Sequence, residues 1–315
     1  VSTLPQFAQW PELDTLFPAE DTVVRLDWQL PGIGCLAVGG DASRVIPAMA
    51  AMACLQISII LVDDLLDEEA DGAQHQMGIG RTANLALALQ AAGHLLIEQC
   101  DVPAADRAAA ALSLTRMALD TAAGQELDVS NLTGEENYWQ VVRAKSTPFY
   151  GAGLKLGAQL GGASAEVADG LYKIGMIFGE AVQILDDLED AFKIPANADW
   201  VQGRNNLAIL YGLTADYAEK EAFLQMKAQA EQQERLEQAQ QILIRAGAVS
   251  YCAYQLLQRH REARHRIRSL PLQRPDLLEK LLTVQLLPFL KLLERIDIEL
   301  PETFLSMLEV EKDRQ

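Results

Sequence analysis

An apolar run, Ile57-Ser58-Ile59-Ile60-Leu61-Val62, ends abruptly in Asp63-Asp64-Leu65-Leu66-Asp67-Glu68-Glu69. The pattern returns downstream as Ala181-Val182-Gln183-Ile184-Leu185-Asp186-Asp187-Leu188-Glu189-Asp190. Both copies read as an apolar lead followed by Asp-Asp-x-x-Asp. On a helix, Asp63 and Asp67 share one face with Asp64 beside them, and Asp186, Asp187 and Asp190 repeat the arrangement. Asp is a poor residue for a helix interior, and like charges at this spacing repel. Unpaired carboxylates at the end of a buried helix are costly, so cations must meet them. Hard oxygen ligands suit Mg²⁺, which binds through a few carboxylates, water and substrate phosphates. A single acidic cluster is more often a solvated helix face. Two copies with one spacing, each behind an apolar run, point instead to two facing helices that hold a diphosphate through bridging Mg²⁺.

Composition narrows the setting. The chain has 315 residues, half of them apolar, enough for a large core. Leu, Ala, Glu and Gln dominate and β-branched runs are short, which predicts an all-α fold. Lys and Arg number 26 against 44 Asp and Glu, a net charge of −18. That balance argues against nucleic acid, whose phosphates are held by Lys and Arg, and against general attraction to anionic lipid. Cys35, Cys54, Cys100 and Cys252 are far apart and form no metal-spaced pair, as in a reducing, cytoplasmic setting. No basic segment followed by an apolar one opens the sequence. The most apolar stretch, residues 46–62, contains Gln56 and ends in carboxylates, so it is expected as a buried bundle helix without any transmembrane segment.

In chain order, residues 1–30 are expected to be irregular, with Trp10 and Trp28 as packing anchors. Leu30-Pro31-Gly32-Ile33-Gly34 reads as a turn, and Asp41 or Ser43 as a helix cap. Helices are expected over 43–69, 81–99 and 101–120, the last continuing to Gly124-Gln125-Glu126-Leu127-Asp128. His94, with no second ligand nearby, reads as a satisfied histidine. A helix from Gly134 carries Lys145, Ser146 and Thr147, a cation beside hydroxyls that suits a diphosphate oxygen. The second acidic helix spans 165–190. A polar loop with Asp199, Gly203 and Arg204 precedes the apolar segment 207–213. A helical hairpin over 214–270 ends in a basic patch at 259–268, read as a helix end whose cations complement the dipole, with a site for an anionic ligand or partner helix as the alternative. Residues 309–315 read as a frayed tail, and no linker divides 1–315 into separate domains.

The chain resembles the trans-isoprenyl diphosphate synthases, the polyprenyl synthetase family. Asp63-Asp64-Leu65-Leu66-Asp67 is similar to the first aspartate-rich motif, and Gln183 through Asp190 to the second, with Val182 in place of the usual Phe. Lys145-Ser146-Thr147 resembles the Lys-Thr pair, Gly124 through Asp128 the Gly-Gln-x-x-Asp helix, and Asp199 through Arg204 the Asp-x-x-x-Gly-Lys stretch with Arg for Lys. The resemblance implies a single all-α bundle around an apolar cavity, assembly as a homodimer, and ionisation of an allylic prenyl diphosphate. It implies metal binding by Asp63, Asp64, Asp67, Asp186, Asp187 and Asp190. Lys145, Arg204, Ser146 and Thr147 would meet the diphosphate, with Gln183 and Gln125 near the cation.

The departures lie in the acceptor half. The cation-rich stretch expected before the first acidic helix is nearly gone, leaving Arg44 as a substitute. The paired Arg expected after the first motif is absent, with Gln74, His75, Gln76 and then Arg81 in its place. Those cations normally hold isopentenyl diphosphate. Three functions follow: a prenyltransferase with an altered acceptor site, a class I terpene synthase that quenches the cation without that acceptor, or a regulatory, non-catalytic subunit. The six aspartates argue against the third. Ser58 and Ile59, just upstream of the first motif, are expected to shape the cavity floor. With no aromatic plug there, a chain of roughly fifteen to twenty carbons would fit.

Overall fold

The computed structural model describes residues 4–7, 10, 13–17, 25–67 and 72–298. Glu68, Glu69 and the expected tail at 309–315 lie outside these, as do parts of residues 1–30. Among the described residues the secondary structure is helical, without strands. Helices of two turns or more are α1 Leu30–Ala37, α2 Ile46–Leu66, α3 Ile79–Ile97, α4 Ala104–Val129, α5 Glu135–Lys145, α6 Thr147–Leu160 and α7 Ala165–Ala191. They continue with α8 Leu207–Thr214, α9 Lys220–Lys227, α10 Gln233–Ala246, α11 Ala248–Ser269, α12 Pro275–Gln285 and α13 Leu287–Arg295.

The two acidic helices fall where the pattern puts them, as α2 and α7. Asp41 caps the 3-10 turn Ala42–Val45 that leads into α2, accepting from the Ser43 amide. Ser164 caps α7 by accepting from the Val167 amide. α2 is the stretch among the described residues long and apolar enough to cross a membrane, yet it is packed along α3 and largely buried. The hairpin expected over 214–270 is instead three helices, α9 to α11, broken at 228–232 and at Gly247, which turns with φ 93°.

One expectation is overturned. Leu30-Pro31-Gly32-Ile33-Gly34 is not a turn but the body of α1, a buried helix packed on α6. Pro31 sits in its first turn, where its missing N–H is harmless. A Cβ on Gly34 would lie 2.4 Å from the Leu154 carbonyl oxygen, and one on Gly157 2.1 Å from that of Pro31. The glycines that read as turn residues therefore serve a close helix-to-helix approach.

Two apolar clusters form the interior. One gathers α1, α2, α3, α4, α6, the first half of α7, the end of α11 and α12; the other gathers α5, the second half of α7, α8, α9, α10, the start of α11 and α13. α7 contributes to both, so its last turns, which carry the second acidic motif, lie beside the second cluster. The carbonyls of Ala191, the last residue of α7, and of Lys193 beyond it accept from the buried Gln240 side chain, and Ala191 also from the Trp200 indole. This satisfies helix-end acceptors that would otherwise be orphaned. All four cysteines are buried free thiols. His94 is satisfied by the Gln90 carbonyl and the Thr115 hydroxyl, each at 2.9 Å.

Three arginines of the basic patch are paired with carboxylates. Arg259 pairs with Glu180 at 2.9 Å and lies 4.0 Å over the Trp139 ring. Arg264 pairs with Glu279 and Arg266 with Glu262. His260 is buried, and burial, then the Arg264 charge, pushes its imidazole down to about 4.

Candidate active site

The C-terminal end of α2 meets α4 and α5 through one lysine. Lys145 Nζ lies 2.8 Å from Asp63 Oδ1 and 2.6 Å from Asp128 Oδ2. Gln125 donates to the same Asp63 oxygen at 2.8 Å. Gly124 makes this convergence possible: a Cβ there would sit 2.3 Å from the Ala144 carbonyl carbon and 2.4 Å from the Lys145 nitrogen. With hydrogen at that position, α4 touches the end of α5 and sets Gln125 beside Lys145. Burial acts to lower the Lys145 ammonium, but Asp63 and Asp128 outweigh it and hold it above its ordinary value.

Asp67, at the C-cap of α2, is bound from the other side. Arg204 reaches its carboxylate at 2.5 Å and its carbonyl at 3.0 Å. The Asp67 carboxyl is still raised, by burial first and by Asp63 second, against the opposing Lys145 and Arg204. On α7, Asp187 is 3% exposed. Its Oδ1 accepts from Gln183 at 2.8 Å and its Oδ2 from the Leu207 amide at 2.6 Å. Burial nevertheless pushes it up to about 7. Gln183 in turn accepts from the Ser146 hydroxyl at 2.9 Å. Asp190 is also raised, mainly by burial, with Lys193 opposing.

Apart from Gln125 and Leu207, these groups line a single cavity of about 780 Å³. Its wall includes six carboxylates, Asp63, Asp67, Asp128, Asp187, Asp190 and Asp199, against three cations, Lys145, Lys193 and Arg204. A hollow of about 800 Å³ elsewhere, lined by Phe192, Met226, Glu234, Gln238, Ile242 and Arg245, shows no comparable convergence. The acidic cavity is where the sequence-derived residues meet.

Not all of them do. Asp64 and Asp186 are not among the lining residues, and Gln125 is buried behind Asp63 without lining the cavity itself. Asp186 borders a separate, largely apolar groove of about 380 Å³ with Leu26, Asp27, Phe178, Val182 and Phe289. It is open to solvent by area but deep in that cleft, where poor solvation, then Asp190 and Asp27, push it up to about 7 against Arg25. Thr147 is fully buried, and its hydroxyl donates to the Arg143 carbonyl. Arg44 pairs with Asp101 ahead of the N-terminus of α2, roughly 30 Å along that helix from Asp63. Arg81 is exposed in the first turn of α3, outside the cavity lining. Neither arginine supplies the missing acceptor cations there.

The floor also differs from expectation. The Ser58 hydroxyl donates to the Ala86 carbonyl at 2.8 Å in the seam between α2 and α3, so Ser58 faces away from the acidic face. Ile59 and Gln56 share the face of Asp63. Gln56, seven residues before Asp63 and so about 10 Å below it, accepts from the Trp28 indole at 2.6 Å and donates to Asp27 at 3.0 Å. An aromatic therefore meets this face of α2 from another segment, the 3-10 turn Leu26–Gln29.

The donor chemistry fits a hard divalent cation. Asp63, Asp67 and Asp190 present oxygens to one cavity, and carboxylates outnumber cations two to one. Among the described residues no three such groups already converge at coordinating distance. Lys145 and Arg204 occupy the oxygens of Asp63 and Asp67, Asp187 is engaged by protein donors, and Asp186 lies in the neighbouring groove. The expected cage of six converged aspartates is therefore not present as such. Missed in the sequence are the roles of Asp128, read only as the end of the Gly-Gln-x-x-Asp helix, as the second carboxylate on Lys145, and of Trp28, expected only as a packing anchor, on Gln56; no role is expected there for Lys193 or Asn206. Asp128 lies three residues from Gln125, on the same face of α4, which was the available signal.

A helical bundle with two acidic helix ends around a diphosphate-sized cavity defines the architectural class of isoprenoid synthases. The sequence profile described as polyprenyl synthetase matches residues 33–243. The chain belongs to the polyprenyl synthetase family, the trans-isoprenyl diphosphate synthases. It is 26% identical over 229 residues to a geranylgeranyl pyrophosphate synthase of Geoglobus acetivorans, covering 68% of this chain and 70% of that one. It is 26% identical over 250 residues to a short chain isoprenyl diphosphate synthase of Methanothermobacter thermautotrophicus, covering 73% and 75%. Among solved structures, a polyprenyl synthetase from Streptomyces coelicolor A3(2) superposes with a TM-score of 0.74 at 20% identity, covering 85% of this chain and 86% of that chain.

Proposed function

We propose that this protein is a Mg²⁺-dependent prenyltransferase that ionises an allylic prenyl diphosphate and passes the prenyl group to an acceptor. The observation that carries this reading is the cavity lined by six carboxylates and three cations. Such a surplus of carboxylates over cations around one cavity suits metal ions that arrive with a polyanion. The family membership and the elongating enzymes among its relatives support the same reading.

Asp63, Asp67 and Asp190 would hold the metal, which supplies charge neutralisation for the departing diphosphate. Lys145 and Arg204 exchange partners as substrate binds: they leave Asp63 and Asp67 for diphosphate oxygens. Both are then positioned to stabilise leaving-group charge as the C–O bond breaks. The Gln183 amide, fixed by Ser146 and Asp187, keeps its dipole oriented beside the reacting carbon. Trp28 on Gln56 closes the face below Asp63 and excludes water from the prenyl tail.

A second reading, a class I terpene synthase, is favoured by one observation. Arg44 and Arg81 stand outside the cavity, so it holds no separate cationic pocket for a second diphosphate among the described residues. Incubation with Mg²⁺ and an allylic diphosphate, with and without isopentenyl diphosphate, separates the two by product.

The assembly belongs to the same proposal. Leu87 and Leu95 on α3 and Leu112 and Leu119 on α4 are each at least half exposed. A second copy of this chain would cover them, and light scattering at a dimer mass tests it. The four buried free thiols suit a cytoplasmic location.

A further inference from the structure

Arg204 reaches the first acidic motif at Asp67, yet it follows Gly203, whose φ is 72°, in a loop without regular structure. Its placement needs an anchor, and Asn206 supplies one. Asn206 is 1% exposed. Its Oδ1 accepts from the amides of Ala208 and Ile209, capping α8. Its Nδ2 donates to the Asp187 carbonyl at 2.7 Å and to Asp199 Oδ2 at 2.9 Å. The next amide, that of Leu207, donates to Asp187 Oδ2. One side chain thus caps α8, holds the start of the loop at Asp199 and fastens both to α7. Two residues earlier, Arg204 projects to Asp67 on α2.

We propose that Asn206 is the positioning residue for Arg204, and that Asp187 is the acceptor half of this clasp rather than a ligand of the metal. The proposal rests on the reading of the cavity as a diphosphate site. Two features favour it over a merely structural role. Every hydrogen-bonding position of the Asn206 amide is filled, so the clasp has one geometry. Both Asp187 oxygens are already engaged by protein donors, and the side chain is almost wholly buried. Asp63 and Asp67 are instead held by the mobile cations Lys145 and Arg204, which a diphosphate can draw away, whereas the donors on Asp187 are a backbone amide and the Gln183 amide.

The test uses the full chain with Mg²⁺ and inorganic diphosphate in calorimetry. Asn206→Ser keeps an oxygen to cap α8 but loses both amide donors. Arg204→Ala removes a charge-assisted contact, with an expected loss of affinity of about tenfold or more. Asn206→Ser is expected to lose most of that factor, and the double variant to bind no more weakly than Arg204→Ala alone. Wild-type affinity in Asn206→Ser, or losses that multiply in the double variant, would overturn the proposal. Should Asn206→Ser fold poorly, Asn206→Asp keeps the cap while setting an oxygen against Asp199, and the same comparison applies.

A second readout separates failure of the clasp from failure of the diphosphate reading. Amide hydrogen exchange over residues 199–207 is expected to speed up in Asn206→Ser while α2 is unchanged; unchanged protection of that loop contradicts the clasp whether or not diphosphate binds. Asp187→Asn is expected to keep the thermal stabilisation that Mg²⁺ and diphosphate together confer, and Asp63→Asn to lose it. Equal loss in both returns Asp187 to the metal ligands. A wild-type protein that binds no diphosphate removes the functional reading and leaves the exchange result to decide the clasp.

Discussion

Replacing Lys145 with Met tests how the acidic site is held before substrate arrives. The ammonium lies 2.8 Å from Asp63 and 2.6 Å from Asp128. Without it, the two carboxylates face each other across about 5 Å, a repulsion of about 3 kcal/mol at an effective dielectric of 20. Each side chain is close to one-third exposed, so solvent screening reduces this to about 1–2 kcal/mol. The expected result without metal is a loss of stability of that size in chemical denaturation. The sign reverses when Mg²⁺ is added. In the wild type the ion must displace an ammonium from Asp63; in Lys145→Met the oxygens are free. Each tenfold gain in Mg²⁺ affinity adds about 1.4 kcal/mol of stabilisation, so saturating Mg²⁺ should recover most of the loss. Diphosphate affinity should fall in the same variant, because the cation that would receive it is gone. The assay is a denaturation midpoint over a Mg²⁺ titration for both proteins, with Ca²⁺-free buffer. A Mg²⁺ effect in Lys145→Met no larger than in the wild type would refute the idea that Asp63 exchanges an internal cation for a metal.

Trp28→Ala removes the aromatic on Gln56 and should lengthen the longest prenyl product accepted, read by mass spectrometry; an unchanged product length would show that the tail does not reach it. His260 gives a pH signature: its folded value of about 4 lies below the ordinary 6.5, so its contribution is present above pH 6.5 and is lost as pH falls toward 4. That difference corresponds to about 3 kcal/mol, and His260→Leu should flatten the loss of stability between pH 6.5 and 4 relative to the wild type. Gly124→Ala should push the end of α5 away from α4 and cost catalytic rate more than overall helicity; full activity would show that the Lys145–Asp63–Gln125 contact is not needed.

The helices that carry the chemistry were legible because their signals are local. An apolar run closing on carboxylates marks α2 and α7 wherever they pack. The phase of each helix against its neighbour is not local. Helical spacing groups Asp186 with Asp187 and Asp190, but the packing of α7 turns Asp187 and Asp190 to one cavity and Asp186 to the next groove. Glycine-rich α1 read as a turn because the same residues that permit turns also permit the tight contact with α6. Trp28 and Asn206 act through partners 28 and 19 residues away, and no periodicity reports such pairings. Arg44 illustrates the converse: near the first motif by topology of the chain, it is separated from Asp63 by the full length of α2.

The most direct measurement is a mass-resolved product assay with Mg²⁺ and a short allylic diphosphate, with and without isopentenyl diphosphate. Prenyl transfer predicts a longer prenyl diphosphate that appears only when both substrates are present, and that is lost in Asp63→Asn. A diphosphate-free hydrocarbon or alcohol formed from the allylic substrate alone, with no elongated product, would contradict it.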